Sequence, residues 1–183
     1  MFTSIDRTMA EIEQNPASST FSVELASNLG DTQIEQLIEI ERVCKLSKWS
    51  KNDYQTESVR EGSVFLIARK FSQERTVIIG LIILRTSNAC DEKDIARSIG
   101  GEADLLNFGV TEEFQRQGIG MSLFENARLI LTDLGVSLVW LEVRESNAAA
   151  IKFYWARGFR SVQIRRNFYS QPIENALLLK LTL

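Results

Sequence analysis

Apolar positions along the chain recur first at period two, then at helical spacing, and then in short unbroken runs, with turn-forming clusters between them. Phe21-Ser22-Val23-Glu24-Leu25 alternates apolar with polar, the pattern of a half-buried strand. Ile34, Leu37, Ile38, Ile40 and Val43 follow helical spacing, and Asp31 stands where an N-cap belongs. A second short helix is predicted to start near Trp49-Ser50, with Ser50 as its cap. Val64–Ala68 and Val77–Leu84 are β-branched runs too short to span a bilayer and predict two adjacent antiparallel strands. A polar loop covers Thr86 to Gly101, and Ala103–Val110 is the next strand; Gly109 inside it marks a bulge or a close approach to the backbone. From about Gly118 to Leu134 a helix presents Ile119, Leu123, Phe124, Ala127, Ile130, Leu131 and Leu134 on one broad face, and Gly135 stops it. Val136–Val143 is nearly unbroken apolar sequence, predicting a strand covered on both faces. Ser146-Asn147 caps a helix running to about Arg157, Gly158 ends it, and Phe159–Ile164 and Ala176–Leu183 are the last strands.

This order predicts an α/β chain with a mixed, mostly antiparallel central sheet of about six to seven strands flanked by helices. The turn-forming cluster Gln14 to Thr20 makes residues 1–20 a poorly ordered lead-in, leaving 21–183 as one domain. The 183 residues are 44% hydrophobic and 25% charged, enough apolar material for a core.

Composition narrows the chemistry. The chain has no histidine, which removes Ser-His-Asp and Cys-His machinery and His-ligated zinc from consideration, so no metal is expected. A net charge of −3 argues against a direct nucleic-acid binder. Cys44 and Cys90 have no CxxC spacing and read as free thiols in a reducing compartment. With neither a signal-peptide pattern nor a membrane-length apolar run, a cytoplasmic monomer or weak dimer without a membrane partner is expected.

The segment Val110 to Met121 lies between a strand and an amphipathic helix, so its N–H groups and the positive end of the helix dipole converge on one small volume. That is an anion site, and Gly118 and Gly120 let a diphosphate approach the main chain. A P-loop needs a Lys where Met121 stands, and a dinucleotide fold needs a small residue where Leu123 stands, although Glu142 about twenty residues on keeps that option alive. A coenzyme A diphosphate site is the third reading, and a helix that merely begins with glycine the fourth. Glu142 interrupts an apolar strand, where it serves either as a proton acceptor or as the partner of Arg144 or another cation. Asn147, Ile151 and Tyr154 share one helix face; Asn147 reads equally well as a cap, and Tyr154 as core together with Phe153, Trp155 and Phe159.

Gln115-Arg116-Gln117-Gly118-Ile119-Gly120 resembles the Q/R-x-x-G-x-G/A signature of the GNAT superfamily of N-acetyltransferases. More narrowly, Leu138 to Ile151 is similar to RimI-type ribosomal-protein-alanine N-acetyltransferases, and Tyr154, Gly158-Phe159 and Arg165-Arg166-Asn167-Phe168-Tyr169 continue the similarity. It runs closely from Gly101 onward and weakly from Ile34 to Ser63, through Ile40-Glu41 and Trp49-Ser50. Lys48 stands where that family usually has Pro, and the loop from Thr86 to Gly101 is longer than the family's. The resemblance implies a single-domain GNAT fold with acetyl-CoA as cosubstrate, lying between the strand ending at Val110 and the strand holding Glu142. It implies that backbone groups of Phe108, Gly109 and Val110 pair with the pantetheine arm. Arg116, Gln117, Gly118, Ile119, Gly120 and Met121 would cradle the diphosphate, and Asn147 would contact the cofactor. Glu142 would act as base and Tyr154 as acid, with Trp49 and Arg165 to Tyr169 lining the acceptor groove. The acceptor implied is a protein N-terminal α-amine, expected on a ribosomal protein. Acetylation of a small-molecule amine or a lysine side chain, or a catalytically silent acetyl-CoA-binding module, are the competing readings.

Overall fold

The computed structural model describes residues 21–71, 75–87 and 101–183. The lead-in at 1–20, Cys90 and most of the expected loop at 86–101 lie outside the described residues. In chain order the elements are β1 Phe21–Leu25, α1 Asp31–Cys44, α2 Lys51–Ser58, β2 Ser63–Phe71, β3 Thr76–Ser87 and β4 Gly101–Val110, followed by a 3₁₀ turn at Glu112–Phe114. Then come α3 Ile119–Asp133, β5 Val136–Arg144, α4 Ala148–Trp155, β6 Arg160–Ser170 and β7 Ile173–Thr182. The fold is α/β, with a mixed sheet in the order β1-β2-β3-β4-β5-β7-β6. By contacts the chain divides into two compact units: the described residues of Met1–Arg85 with Leu106–Leu134, and those of Thr86–Leu105 with Gly135–Leu183.

In the first unit β1, β2 and β3 pair antiparallel, as the alternating and β-branched runs predict. Phe65, Ile67, Leu81 and Ile83 point to one face and pack with Ile34, Leu37 and Ile40 of α1 and Tyr54 of α2. The buried stripe of α1 includes Glu41, while Val43, expected in the core, is 43% exposed. Asp31 is the first helical residue rather than the cap. Gly30 takes the N-cap position, its N–H donating to Gln33 Oε1 at 2.9 Å and its carbonyl accepting from Gln33 N–H at 3.0 Å. Ser50 caps α2 as predicted, accepting from the Asp53 N–H at 3.2 Å. On α3 the predicted face is buried from Ile119 to Leu131, whereas Leu134 lies past the last helical residue and is exposed.

In the second unit Gly101–Asp104 runs parallel to Val136–Trp140. β7 enters antiparallel between β5 and β6. β5 is not covered on both faces as expected: Val139, Leu141 and Val143 are buried, but Leu138, Trp140, Glu142 and Arg144 are only half-buried. The continuous apolar run hides an alternation because Leu138 and Trp140 occupy the less covered face; the Trp140 ring N–H donates to Glu102 and Lys180 lies over the ring. Phe159 is fully buried and Phe153 half-buried, while Trp155 is exposed, correcting its assignment to the core. β6 extends to Ser170 and is solvent-exposed over nearly its whole length.

Candidate active site

In the first unit, the loop after β4 is tied to β3 and back to the end of β4. Thr111 N–H and Oγ1–H both donate to the Ile79 carbonyl, at 3.0 and 3.2 Å, and Gln115 Nε2 donates to the Val110 carbonyl at 2.9 Å. Beyond it Arg116 (φ 59°) and Gly118 (φ 86°) adopt left-handed backbone. Gly118 is the N-cap of α3 and carries no side chain to occupy the helix's first N–H groups. Ser122 N–H donates to the Gly118 carbonyl at 2.9 Å in the first turn, and Ile119 and Gly120 are the first two helical residues. Ile119 is buried and anchors the turn; Arg116, Gln117, Gly118 and Met121 are exposed. Chemically this is a helix N-terminus with no capping side chain, an arrangement that suits an anion.

The approach expected at Gly109 exists, but the visitor is the chain itself. A Cβ there would stand 3.0 Å from Leu46 Cδ1 and 3.2 Å from both Cβ and Sγ of Cys44. Cys44 remains a free thiol, and burial pushes its pKa up; its Sγ–H donates to the Val110 carbonyl at 3.3 Å. That carbonyl thus already serves two donors, Gln115 and Cys44. The loop between α1 and α2 is pinned by two buried polar residues that the hydrophobic pattern passed over. Asn107 accepts from Ser47 N–H at 3.2 Å and donates to its carbonyl at 3.3 Å. Glu41 accepts from Trp49 N–H at 2.7 Å and from the Tyr54 hydroxyl at 3.1 Å. Trp49 is therefore held beside the Tyr54 ring, 5.4 Å between centroids, and lines a cavity of about 510 Å³ with Lys48, Arg60, Arg85 and Leu106.

In the second unit, Glu142 is half-buried near the end of β5 and its Oε1 accepts from Arg165 Nη1 at 2.6 Å. Its cationic partner is thus Arg165, not the sequence neighbour Arg144, which reaches Glu174 at 3.1 Å and stacks 4.0 Å over the Tyr169 ring. Hydrogen bonds from Ser146 and then Arg144 hold the Glu174 carboxyl below the usual range. Tyr169 donates its hydroxyl to the Glu142 backbone carbonyl at 3.4 Å. Asn147 caps α4, its Oδ1 accepting from Ala150 N–H at 3.1 Å. Tyr154 is 6% exposed, packed edge-on against Phe153 and Phe159, and burial raises its pKa well above the ordinary tyrosine value, with Tyr169 adding to the shift. Glu142, Arg165 and Tyr169 are brought together, then, and Tyr154 sits in an aromatic cluster on α4. The Arg165 partnership has no local sequence signal, because it depends on β7 lying between β5 and β6.

The acetyltransferase (GNAT) family model matches residues 34–159. The "[Ribosomal protein bS18]-alanine N-acetyltransferase" of Escherichia coli K12 is 43% identical over 89 residues, covering 48% of this chain and 60% of that protein. Its namesake from Haemophilus ducreyi is 32% identical over 160 residues, covering 84% and 99%. The crystal structure of the Escherichia coli ribosomal-protein-S18-alanine N-acetyltransferase superposes with a TM-score of 0.68 at 27% identity, covering 88% of this chain and 93% of the other.

Proposed function

The chain is a member of the acetyltransferase (GNAT) family, and from that premise we propose that it transfers acetyl from acetyl-CoA to the α-amine of a protein N-terminus. The observation that carries this reading is the glycine-capped start of α3, where Arg116 and Gly118 take left-handed backbone just ahead of the bond from Ser122 N–H to the Gly118 carbonyl, leaving a helix N-terminus without a capping side chain. Similarity to relatives named for alanine N-acetylation of ribosomal protein bS18 supports a ribosomal protein as the acceptor.

In this reading residues Arg116 to Met121 bind the diphosphate of acetyl-CoA. Phe108 and Gly109 of β4 offer main-chain groups to the pantetheine arm, and Val110 contributes through groups other than its carbonyl, which Gln115 and Cys44 hold. The amide –NH₂ of Asn147 is its contact to the cofactor, because Oδ1 is used in the cap. The acceptor's neutral amine attacks the thioester carbon, forming a C–N bond as the C–S bond breaks. Glu142, directly or through a water, takes the proton that the amine must lose. Tyr154, which burial keeps protonated at neutral pH, donates one to the departing thiolate and regains it from Glu142 through solvent. Trp49 and the segment from Arg165 to Tyr169 contact the acceptor. No imidazole is required, since the nucleophile arrives with the substrate and an α-amine has a pKa of about 8.

Incubating the protein with acetyl-CoA and short peptides beginning with alanine, with free or blocked N-termini, tests the reading by mass spectrometry. It expects a gain of about 42 Da, one acetyl group replacing one hydrogen, on free N-termini only. Modification of lysine in blocked peptides, or no modification of any amine, contradicts it.

A further inference from the structure

Glu142 does not stand in the purely apolar strand surroundings that its sequence neighbours suggest. It pairs with Leu178 across β5 and β7, while Arg165 of β6 pairs with Ala176 of β7, so all four side chains share one face of the sheet. Ala176 contributes only a methyl group to that face, and the Arg165 side chain reaches past it to set Nη1 2.6 Å from Glu142 Oε1. On the same face Lys180 of β7 lies over the Trp140 ring and is the register partner of Arg160 of β6, and the Glu145 carboxylate just after β5 accepts from the Asn175 amide at 3.0 Å. Arg144 on β5 pairs with Glu174 on β7 and lies over Tyr169 on β6, and the Tyr169 hydroxyl donates to the Glu142 main-chain carbonyl. Two carboxylates, Glu142 and Glu174, therefore face two guanidiniums, Arg165 and Arg144, and the formal charge of the set is zero.

A neutral amine adds no charge to such a set, whereas an ammonium adds an uncompensated positive charge beside two guanidiniums. Amines differ greatly in how often they are neutral. With a pKa of about 8, roughly a tenth of an α-amine is unprotonated at pH 7; a lysine, with a pKa of about 10.4, is unprotonated in about one molecule in 2,500. A site that admits only the neutral form thereby prefers the α-amine by about two orders of magnitude before any contact is made. We propose that Arg165 is a specificity-determining residue: by neutralising Glu142 it excludes ammonium ions and so selects N-terminal α-amines over lysine side chains. This rests on the reading of Glu142 as the base. Without Arg165, Glu142 is an unpaired anion that draws the ammonium in and takes its proton on the enzyme. That route helps lysine most, because lysine is most penalised by the neutral-amine route.

The test is kcat/KM for two peptides, one with a free α-amine and blocked lysine and the other the reverse, from about pH 6.5 to about pH 9, for the unsubstituted protein, Arg165→Gln and Arg165→Lys. Arg165 is exposed enough, at 47% of its side chain, that substitution leaves the core untouched. The expected result is a fall of about tenfold in the α-over-lysine ratio for Arg165→Gln, mainly through a lower KM for the lysine peptide. The acid side of the α-amine profile flattens in that variant, and Arg165→Lys restores both ratio and profile. A ratio within about twofold of the unsubstituted protein's overturns the proposal, as does an equal loss of both activities, which is what a structural role for Arg165 produces. Glu142→Gln separates the failures. If that variant keeps full activity, the base reading is wrong; if it is inactive and the Arg165→Gln ratio is unchanged, only the selectivity proposal falls.

Discussion

Gly80 lies in the middle of β3, where the space a Cβ would need is already filled. Such an atom would stand 3.0 Å from the Gly109 carbonyl oxygen, 3.1 Å from Val110 Cγ2 and 3.2 Å from Leu123 Cδ1. Two of these belong to the end of β4 and the third to α3. The nearest is backbone and cannot swing aside. Gly80→Ala is therefore expected to cost about 1–3 kcal/mol of stability by overpacking and to weaken acetyl-CoA binding. Urea unfolding together with a cofactor titration checks this, and an unchanged midpoint with unchanged affinity contradicts it. Gly109 is legible in the sequence as a place of close approach, because a glycine inside a strand weakens it and is kept where a side chain would not fit. Gly80 is not, since the apolar run around it reads as a good strand with or without that residue. Glu41 and Asn107 escape the pattern for the opposite reason. A polar residue in an apolar stripe reads as a gap, and only the fold shows that Trp49, Tyr54 and Ser47 supply the partners that make its burial tolerable.

At the level of elements, periodicity together with capping and stop residues located every described strand and α-helix, but not the 3₁₀ turn at Glu112–Phe114. It failed at three kinds of place. Helix starts depend on side-chain geometry, so Gln33 made Gly30 the cap although Asp31 is the better capping residue by type. Coverage depends on neighbours: the run through Leu138 and Trp140 looked doubly buried, yet that face of β5 is half-open. Exposure of the β6 strand was hidden for the same reason. Most consequential is strand order. Arg144 is two residues from Glu142 and looks like its partner, but the insertion of β7 between β5 and β6 gives Arg144 to Glu174 and Arg165 to Glu142. The glycine-capped turn before α3 was readable because strand, glycines and helix are contiguous in sequence; the setting of Glu142 was not, because its partner is 23 residues away on a non-neighbouring strand.

For the molecule as a whole, the absence of histidine removes the side chain that ordinarily titrates near pH 6.5. Among the described residues the thiol and phenol groups raised chiefly by burial are Cys44, Tyr54, Tyr154 and Tyr169, with Glu41 adding to the shift of Tyr54. Each keeps its proton in the folded protein at a pH where the unfolded chain has lost it. Their contribution to stability is complete below the unfolded values, about 8.5 for cysteine and about 10 for tyrosine, and is lost as pH rises toward the folded ones. Stability is thus expected to fall steeply above about pH 10, approaching about 1.4 kcal/mol per pH unit for each tyrosine. Denaturant unfolding at about pH 8 and about pH 11 reads this, and an equal midpoint at both contradicts it. No helix among the described residues is long and apolar enough to cross a membrane. The central claim is acetyl transfer with Glu142 as base, and the most direct measurement compares Glu142→Gln with the unsubstituted protein on an alanine-initiated peptide at neutral pH, alongside the dissociation constant of acetyl-CoA. The account predicts a fall in kcat of about 10²-fold or more with cofactor affinity within about twofold; a variant that turns over at the unsubstituted rate contradicts it.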